Sequence, residues 1–283
     1  MYPATRTPEP LRPGDLACTT ALLASYDTLA RCLECGVYYT SPRTPDSEIR
    51  RAYAEMADTG FLEERRAREL TYRRLLDEIE RLTGGRRGRL LDAGCSMGFF
   101  LSQARDRGWQ VEGIEPSRWA ADYARGESGL KVQDGPIGSA GLAPESFDVV
   151  TMWDVVEHLL DPVGDVRALA RALKPGGVFA LSTHSLDSLS ARVLGRRYPF
   201  LMAMHVTHFT PRTTARLLAG AGLRQVKVRP HLRFLRVGYL IKKMAPKAPR
   251  IAALLDGIAR GLAARDRYVA VTGLGIFNAY AIK

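Results

Sequence analysis

The segment Leu90-Leu91-Asp92-Ala93-Gly94-Cys95-Ser96-Met97-Gly98-Phe99-Phe100 limits what this chain can fold into more than any other stretch. An apolar run enters a tight turn of small residues, and a helical pattern opens at its end. Gly94 lets backbone approach a ligand closely, Cys95 and Ser96 keep the turn narrow, and Gly98 permits tight packing of the new helix on the preceding strand. The first N–H groups of that helix have no partner within it and suit a carboxylate or phosphate. Glu115 ends the next apolar run, 23 positions after Asp92. An acid there can accept hydrogens from both hydroxyls of a ribose. Together these residues predict a site for an adenosine-bearing cofactor, although the turn by itself suits a nicotinamide dinucleotide equally well.

The pattern around the turn predicts an α/β fold. Strands are expected at Arg89–Ala93, Gln110–Glu115, Leu130–Gln133, Phe147–Trp153 and Gly177–Thr183, with helices at Gly98–Arg107, Ser117–Arg125 and Pro162–Leu173. Short apolar runs alternating with helices imply a parallel sheet covered on both faces, and right-handed crossovers make it doubly wound. Residues 1–83 read as an N-terminal extension: a proline-rich arm, a hairpin around Cys32-Leu33-Glu34-Cys35-Gly36, a helix from Ser47 to about Ala57, and a longer helix over 61–83 closed by Gly84-Gly85. Residues 84–283 form the cofactor-binding domain, with a helical cap over about 185–265. In that cap Pro211–Ala221 is expected to be helical and Arg224–Arg229 a strand. Leu232, Leu235, Tyr239 and Leu240 share a helical face in a segment that also carries Arg233, Arg236, Lys242 and Lys243. Ile251, Leu254, Leu255, Ile258 and Leu262 make a second apolar stripe, and Tyr268–Ile282 supplies one or two closing strands.

Four blocks, LLDAGCSMGFF, VEGIEPS, FDVVTMWDVVEHLLDP and LKPGGVFALST, have an order and spacing that resemble the class I S-adenosylmethionine (SAM)-dependent methyltransferases, from Leu90 to about Ser182. Ser96 stands where that family often has glycine. The resemblance implies a seven-stranded, mostly parallel Rossmann-like sheet ordered 3-2-1-4-5-7-6, with the seventh strand antiparallel. It also implies SAM as cofactor, with Asp92 and Gly94 at its methionyl end, Glu115 on its ribose, Asp134 beside its adenine, and Trp153 with Asp154 bordering the methionyl group. Cys95, Ser96 and Gly98 complete the cofactor residues. The downstream blocks argue against a dehydrogenase, and no Tyr-x-x-x-Lys pair follows in the fifth-strand region to serve hydride chemistry.

Methyl transfer from a sulfonium asks for an in-line nucleophile, and a hydroxyl acceptor gains from a base near neutral pKa, usually histidine. His158 follows the fourth strand in Val-Glu-His-Leu, with Glu157 beside it to orient a ring or cap a helix. His205 and His208 lie in MAMHVTHFTPRTT, an insertion that in the resembled family commonly roofs the acceptor pocket. His158, His205 and His208 are therefore the candidate catalytic residues. Each keeps a structural alternative: His158 as a hydrogen-bonding support, His208 as packing beneath a helix capped by Thr210 and opened by Pro211. His184 lies just past the fifth strand, within reach of an acceptor, and His231 has no assignment beyond a turn.

The net charge of +11 is concentrated from Ser185 onward, where 18 Lys and Arg meet 3 Asp and Glu. A basic cap suggests an anionic or amphiphilic small-molecule acceptor, and Leu232–Lys247 suits either peripheral contact with a membrane surface or packing on the core. An RNA methyltransferase and a non-catalytic SAM-binding protein are the competing readings. The first lacks an Asn/Asp-Pro-Pro-Tyr/Phe segment and has no base-stacking aromatics among its basic residues. Without a run of about 18 apolar residues or an apolar leader, the expected compartment is the cytoplasm, with peripheral contact at the inner membrane face. Cys18, Cys32 and Cys35 supply only part of a zinc ribbon's sulfur set, so a degenerate ribbon-like hairpin is expected and no metal site is assigned. The reading is a SAM-dependent methyltransferase acting on an oxygen of a small molecule, sugar or lipid-linked intermediate.

Overall fold

The computed structural model describes residues 2–5, 11–17, 19, 25–245 and 248–283. In chain order, the N-terminal part supplies β1 (Leu29–Arg31), β2 (Tyr38–Thr40), α1 (Asp46–Glu55), α2 (Gly60–Glu63) and α3 (Arg65–Leu82). The alternating segment folds as β3 (Arg89–Ala93), α4 (Phe99–Asp106), β4 (Gln110–Glu115), α5 (Arg118–Ser128), β5 (Val132–Asp134), β6 (Phe147–Trp153), α6 (Pro162–Ala172) and β7 (Leu173–His184). Then follow α7 (Leu189–Leu194), β8 (Thr207–His208), α8 (Pro211–Gly220), β9 (Arg224–Pro230), β10 (Arg233–Arg236), α9 (Val237–Met244), α10 (Pro249–Gly261), β11 (Tyr268–Val271) and β12 (Ile276–Ile282).

Seven strands form one sheet in the order β5-β4-β3-β6-β7-β12-β9. The first five are parallel, and β12 runs antiparallel to both β7 and β9. This is the expected 3-2-1-4-5-7-6 arrangement. Alternation along each strand sends side chains to opposite faces. Leu90, Val149 and Val178 pack with Phe100, Leu76 and Ile79 on one side, while Leu91, Val150 and Phe179 pack with Val166, Leu169 and Leu218 on the other. Burying each such side chain fully contributes roughly 1.5–3 kcal/mol. The neighbours of β3 are β4 and β6, so the chain reverses its direction of travel across the sheet there, and a crevice opens beyond the strand ends.

Helix starts follow local chemistry. Ser117 Oγ accepts the Ala120 N–H (3.2 Å) ahead of α5, Asp161 accepts that of Gly164 (2.9 Å) ahead of α6, and Thr210 exchanges bonds with Thr213 around Pro211 at the start of α8. The hairpin β1–β2 carries Cys32 and Cys35 in its turn and is joined by β8 into a small separate sheet. The half-exposed Cys32 and Cys35 are free thiols, and Cys18 lies outside the described residues.

Three expectations change. The helix over 61–83 is broken at Glu64 into α2 and α3. The third strand of the sheet begins at Val132 rather than Leu130, because Leu130 is drawn back under α5 by its N–H bond to Ala124 O (3.2 Å). The helix expected from Leu232 starts only at Val237, since Arg233–Arg236 pair antiparallel with Tyr268–Val271. Only Ala252 and Ala259 of α10 are buried, while Ile251, Leu254, Ile258 and Leu262 stay exposed.

Candidate active site

A cavity of about 1120 Å³ occupies the crevice beyond the parallel strands, walled by α1, α3, β10 and α9. One end of it is formed by the β3–α4 turn. Gly94 (φ 79°) and Gly98 (φ 75°) are left-handed, and an added Cβ would collide with Val155 and Leu130 respectively. Ser96 also takes a positive φ of 50°, which aims its N–H at Glu115 Oε2 (2.7 Å). Ser117 N–H donates to Glu115 Oε1 (2.9 Å). Each carboxylate oxygen thus has one fixed donor and keeps a lone pair for a ligand. Glu115 lines the cavity yet is 5% exposed, and burial pushes its carboxyl up to about 7 against the pull of those two N–H groups. A ribose diol fits this clamp: it offers two O–H donors to two oxygens whose other sides are already held.

Gly94, Ser96, Glu115, Asp134 and Trp153 line the cavity, whereas Asp92, Cys95 and Gly98 do not. Asp92 sits beneath the turn, accepting the Thr151 hydroxyl (2.6 Å), and burial raises its carboxyl to about 7. It thus stands one layer below the cavity lining, tied to β6. Cys95 is buried against Gly113, with its thiol pushed well up by burial. Gly98 serves the packing of α4. Asp134 is the exposed member, 3.5 Å from Arg125. Trp153 stands edge-on to Phe100 (5.5 Å between centroids). Asp154, at φ 55°, accepts the Ser182 hydroxyl (2.7 Å) and ion-pairs with Arg233. Burial alone would raise its carboxyl, but the Arg233 guanidinium reverses this and holds it well below the ordinary range.

At the other end four imidazoles pack together. His184 ends β7, His158 ends a 3-10 turn (Val156–His158) after β6, and His205 follows a turn closed by its N–H to Met202 O (3.0 Å). The His205 ring lies 4.7 Å from both His158 and His184. His158 Nδ1 meets Tyr53 Oη (2.8 Å) and Met204 O (3.0 Å), and His205 Nδ1 meets Phe200 O (2.7 Å). His158, His184 and His205 line the cavity; His208 stands behind them, its Nδ1 2.8 Å from His184 Nε2, held there by the pairing of β8 with β2. Its expected place in the pocket wall is taken by His184. Burial lowers His158, His205 and His208, the last two well below 6.5 with help from neighbouring imidazoles, so all three are neutral near pH 7.

Several wall residues carry no local signal in the sequence. Tyr53 reaches His158 from 105 positions away, and Arg233 reaches Asp154 from 79. His231 also lines the cavity, bonded through Nδ1 to Asn278 Oδ1 (2.7 Å). Leu235, Tyr239 and Leu240, expected on an outward or core-packed face, look into the cavity.

A family model described as a methyltransferase domain matches residues 62–228. Among curated proteins, the chain is 36% identical over 143 residues to the ubiquinone biosynthesis O-methyltransferase of Idiomarina loihiensis, covering 48% of this chain and 57% of that protein. With the enzyme of the same name from Burkholderia pseudomallei it shares 34% over 154 residues, covering 50% and 66%. The chain therefore spans less than two thirds of these relatives' lengths. A SAM-dependent methyltransferase structure from Archaeoglobus fulgidus superposes with a TM-score of 0.55 at 20% identity, covering 80% of this chain and all of that one. One from Thermotoga maritima gives 0.54 at 19%, covering 79% and 93%. The strand order agrees with that fold, and the family match runs from α2 to β9 through the glycine turn and Glu115: the chain belongs to the methyltransferase-domain family.

Proposed function

We propose that this methyltransferase moves the methyl group of SAM onto a hydroxyl oxygen of a small amphiphilic acceptor. The observation that carries the reading is one cavity with two chemically different ends: the Glu115 clamp at one, and neutral imidazoles at the other. A volume of about 1120 Å³ exceeds what one small ligand usually occupies, leaving room for cofactor and acceptor together. When bound, SAM supplies an electrophilic methyl group on a sulfonium. Glu115 holds the ribose, and the backbone of Gly94 and Ser96 borders the cofactor. His158 or His205, each with Nδ1 committed to a backbone carbonyl, offers Nε2 to take the acceptor's hydroxyl proton. Met202, Met204, Leu235, Tyr239 and Leu240 present apolar surface to the rest of the acceptor. The O-methyltransferase name of the curated relatives points to the same class of acceptor atom.

The test is transfer of label from methyl-labelled SAM to a prenylated catechol, a plain catechol and a structured RNA. Label on a hydroxyl oxygen, with equimolar S-adenosylhomocysteine and preference for the prenylated compound, is expected. Label on RNA alone, or saturable SAM binding without turnover on any acceptor, would overturn the reading.

A further inference from the structure

We propose that Glu157, His158 and His205 form a binding site for a divalent cation of the zinc type at the acceptor end of the cavity. One donor atom from each of these residues lies within 4.8 Å of the others. His158 Nδ1 lies 3.0 Å from Met204 O and 2.8 Å from Tyr53 Oη, and His205 Nδ1 lies 2.7 Å from Phe200 O. A carbonyl oxygen can only accept and the Tyr53 hydroxyl can accept as well, so a proton on Nδ1 satisfies every one of these contacts in the neutral rings and leaves the lone pair on Nε2. A backbone carbonyl on the far nitrogen is also how proteins fix the tautomer and orientation of a metal-binding imidazole.

The third donor is anionic and unfinished. Glu157 is 3% exposed, and its Oε2 is buried without a hydrogen-bond partner among the described residues. Its Oε1 is 3.6 Å from His184 Nδ1, beyond hydrogen-bond reach, and that nitrogen is unpartnered too. A buried carboxylate oxygen left in this condition costs more than an ordinary lost hydrogen bond, and a cation removes that cost. A second grouping, His184, His205 and His208, is as compact. There, however, His184 Nε2 and His208 Nδ1 already face each other at 2.8 Å and share a proton. The first grouping is therefore the site.

The donor set narrows the guest. Two imidazoles and one carboxylate suit zinc and its divalent neighbours, whereas magnesium and calcium prefer oxygen ligands throughout. Three protein ligands leave a coordination position open. All three residues line the cavity, so that position faces the space assigned to the acceptor's oxygen. With a cation held there, Nε2 of His158 and His205 would be its ligands and not the proton acceptors; the cation would instead favour the ionised hydroxyl, whose proton would leave to water. Only the identity of that oxygen rests on the methyl-transfer reading; cation binding does not need it.

The experiment titrates zinc into the chelator-treated full chain by calorimetry, in a Cys18→Ser/Cys32→Ser/Cys35→Ser background that removes competing thiolates, and repeats it with cobalt(II) followed by visible spectroscopy. One equivalent should bind, with a cobalt spectrum of nitrogen and oxygen ligation. Glu157→Gln, His158→Gln and His205→Gln should each weaken binding by more than the roughly 10–100-fold typical of losing a supporting residue. His231→Gln, in the same cavity but outside the cluster, should leave it unchanged. SAM binding by each variant reports that it is folded. Absence of stoichiometric binding, or binding that survives these substitutions in variants that still bind SAM, overturns the cation site alone. Failure of the parent to bind SAM would instead count against the functional reading.

Discussion

Glu115 acts as a clamp because two backbone N–H groups, from Ser96 and Ser117, settle the direction of its oxygens before any ligand arrives. In Glu115→Gln the amide must turn its NH₂ toward one of those N–H groups, setting donor against donor. Hydrogen bonds to a charged partner are worth about 1.5–3 kcal/mol, so cofactor affinity should fall by roughly 10–100-fold. Calorimetric titration with S-adenosylhomocysteine reads this directly, and an unchanged Kd would remove Glu115 from the site. Its position against the turn was legible in the sequence because it depends on short spacing after a glycine turn. The placement of Asp92 was not, because its carboxylate is claimed by Thr151, 59 positions away.

Among the elements, β10 and α9 show what a pattern of apolar residues leaves out. Leu232, Leu235, Tyr239 and Leu240 fit a helical period, yet the first half of the segment is a strand because β11 supplies a partner 30 or more positions later. Pairing with a distant edge overrides local preference. The parallel strands were readable since each is flanked by its own helix. β10 is then fastened across α3: Phe234 N–H donates to Thr71 Oγ1 (2.9 Å), and Arg236 pairs with Glu64 at 2.8 Å. Glu64 is 5% exposed and Arg236 26% exposed. Arg236→Ala therefore strands a buried carboxylate and should destabilise the fold by about 2–4 kcal/mol. Arg236→Ala/Glu64→Leu should recover much of that loss. Urea denaturation of the two variants decides the matter, and equal stability of Arg236→Ala and parent would show the pair to be inert.

The whole molecule carries opposing responses to pH. Burial lowers His158, His205, His208 and His231 from 6.5, so the unfolded chain binds more protons there and stability falls as pH drops below 6.5. Asp92 and Glu115, raised to about 7 from 3.8 and 4.5, and Asp165, raised to about 6 from 3.8, work the other way, since their ionisation penalises the fold as pH rises from about 4 to 7. Four imidazoles, joined at lower pH by the carboxylates held low at Asp154, Glu112 and Asp148, outweigh these three and make the cofactor-free protein acid-labile. A tenfold difference in proton affinity between the folded and unfolded chain is worth about 1.4 kcal/mol, and 1 kcal/mol moves Tm by roughly 2–4 °C in domains approaching this size. A thermal scan should thus show Tm falling by several degrees below pH 6.5. The increment added by S-adenosylhomocysteine should shrink over the same range as Glu115 takes up its proton. A Tm that climbs on acidification would contradict the neutral histidine cluster.

The fastening of β10 across α3 also has a consequence for the order in which the protein is made. The residues proposed to hold the cofactor are complete once Asp154 has left the ribosome, but the wall beside them needs Arg233 and Arg236, and β10 needs β11 beyond them. A nascent chain therefore carries a finished cofactor turn on an unfinished sheet, open on one side. The sheet closes only when β12 enters between β7 and β9.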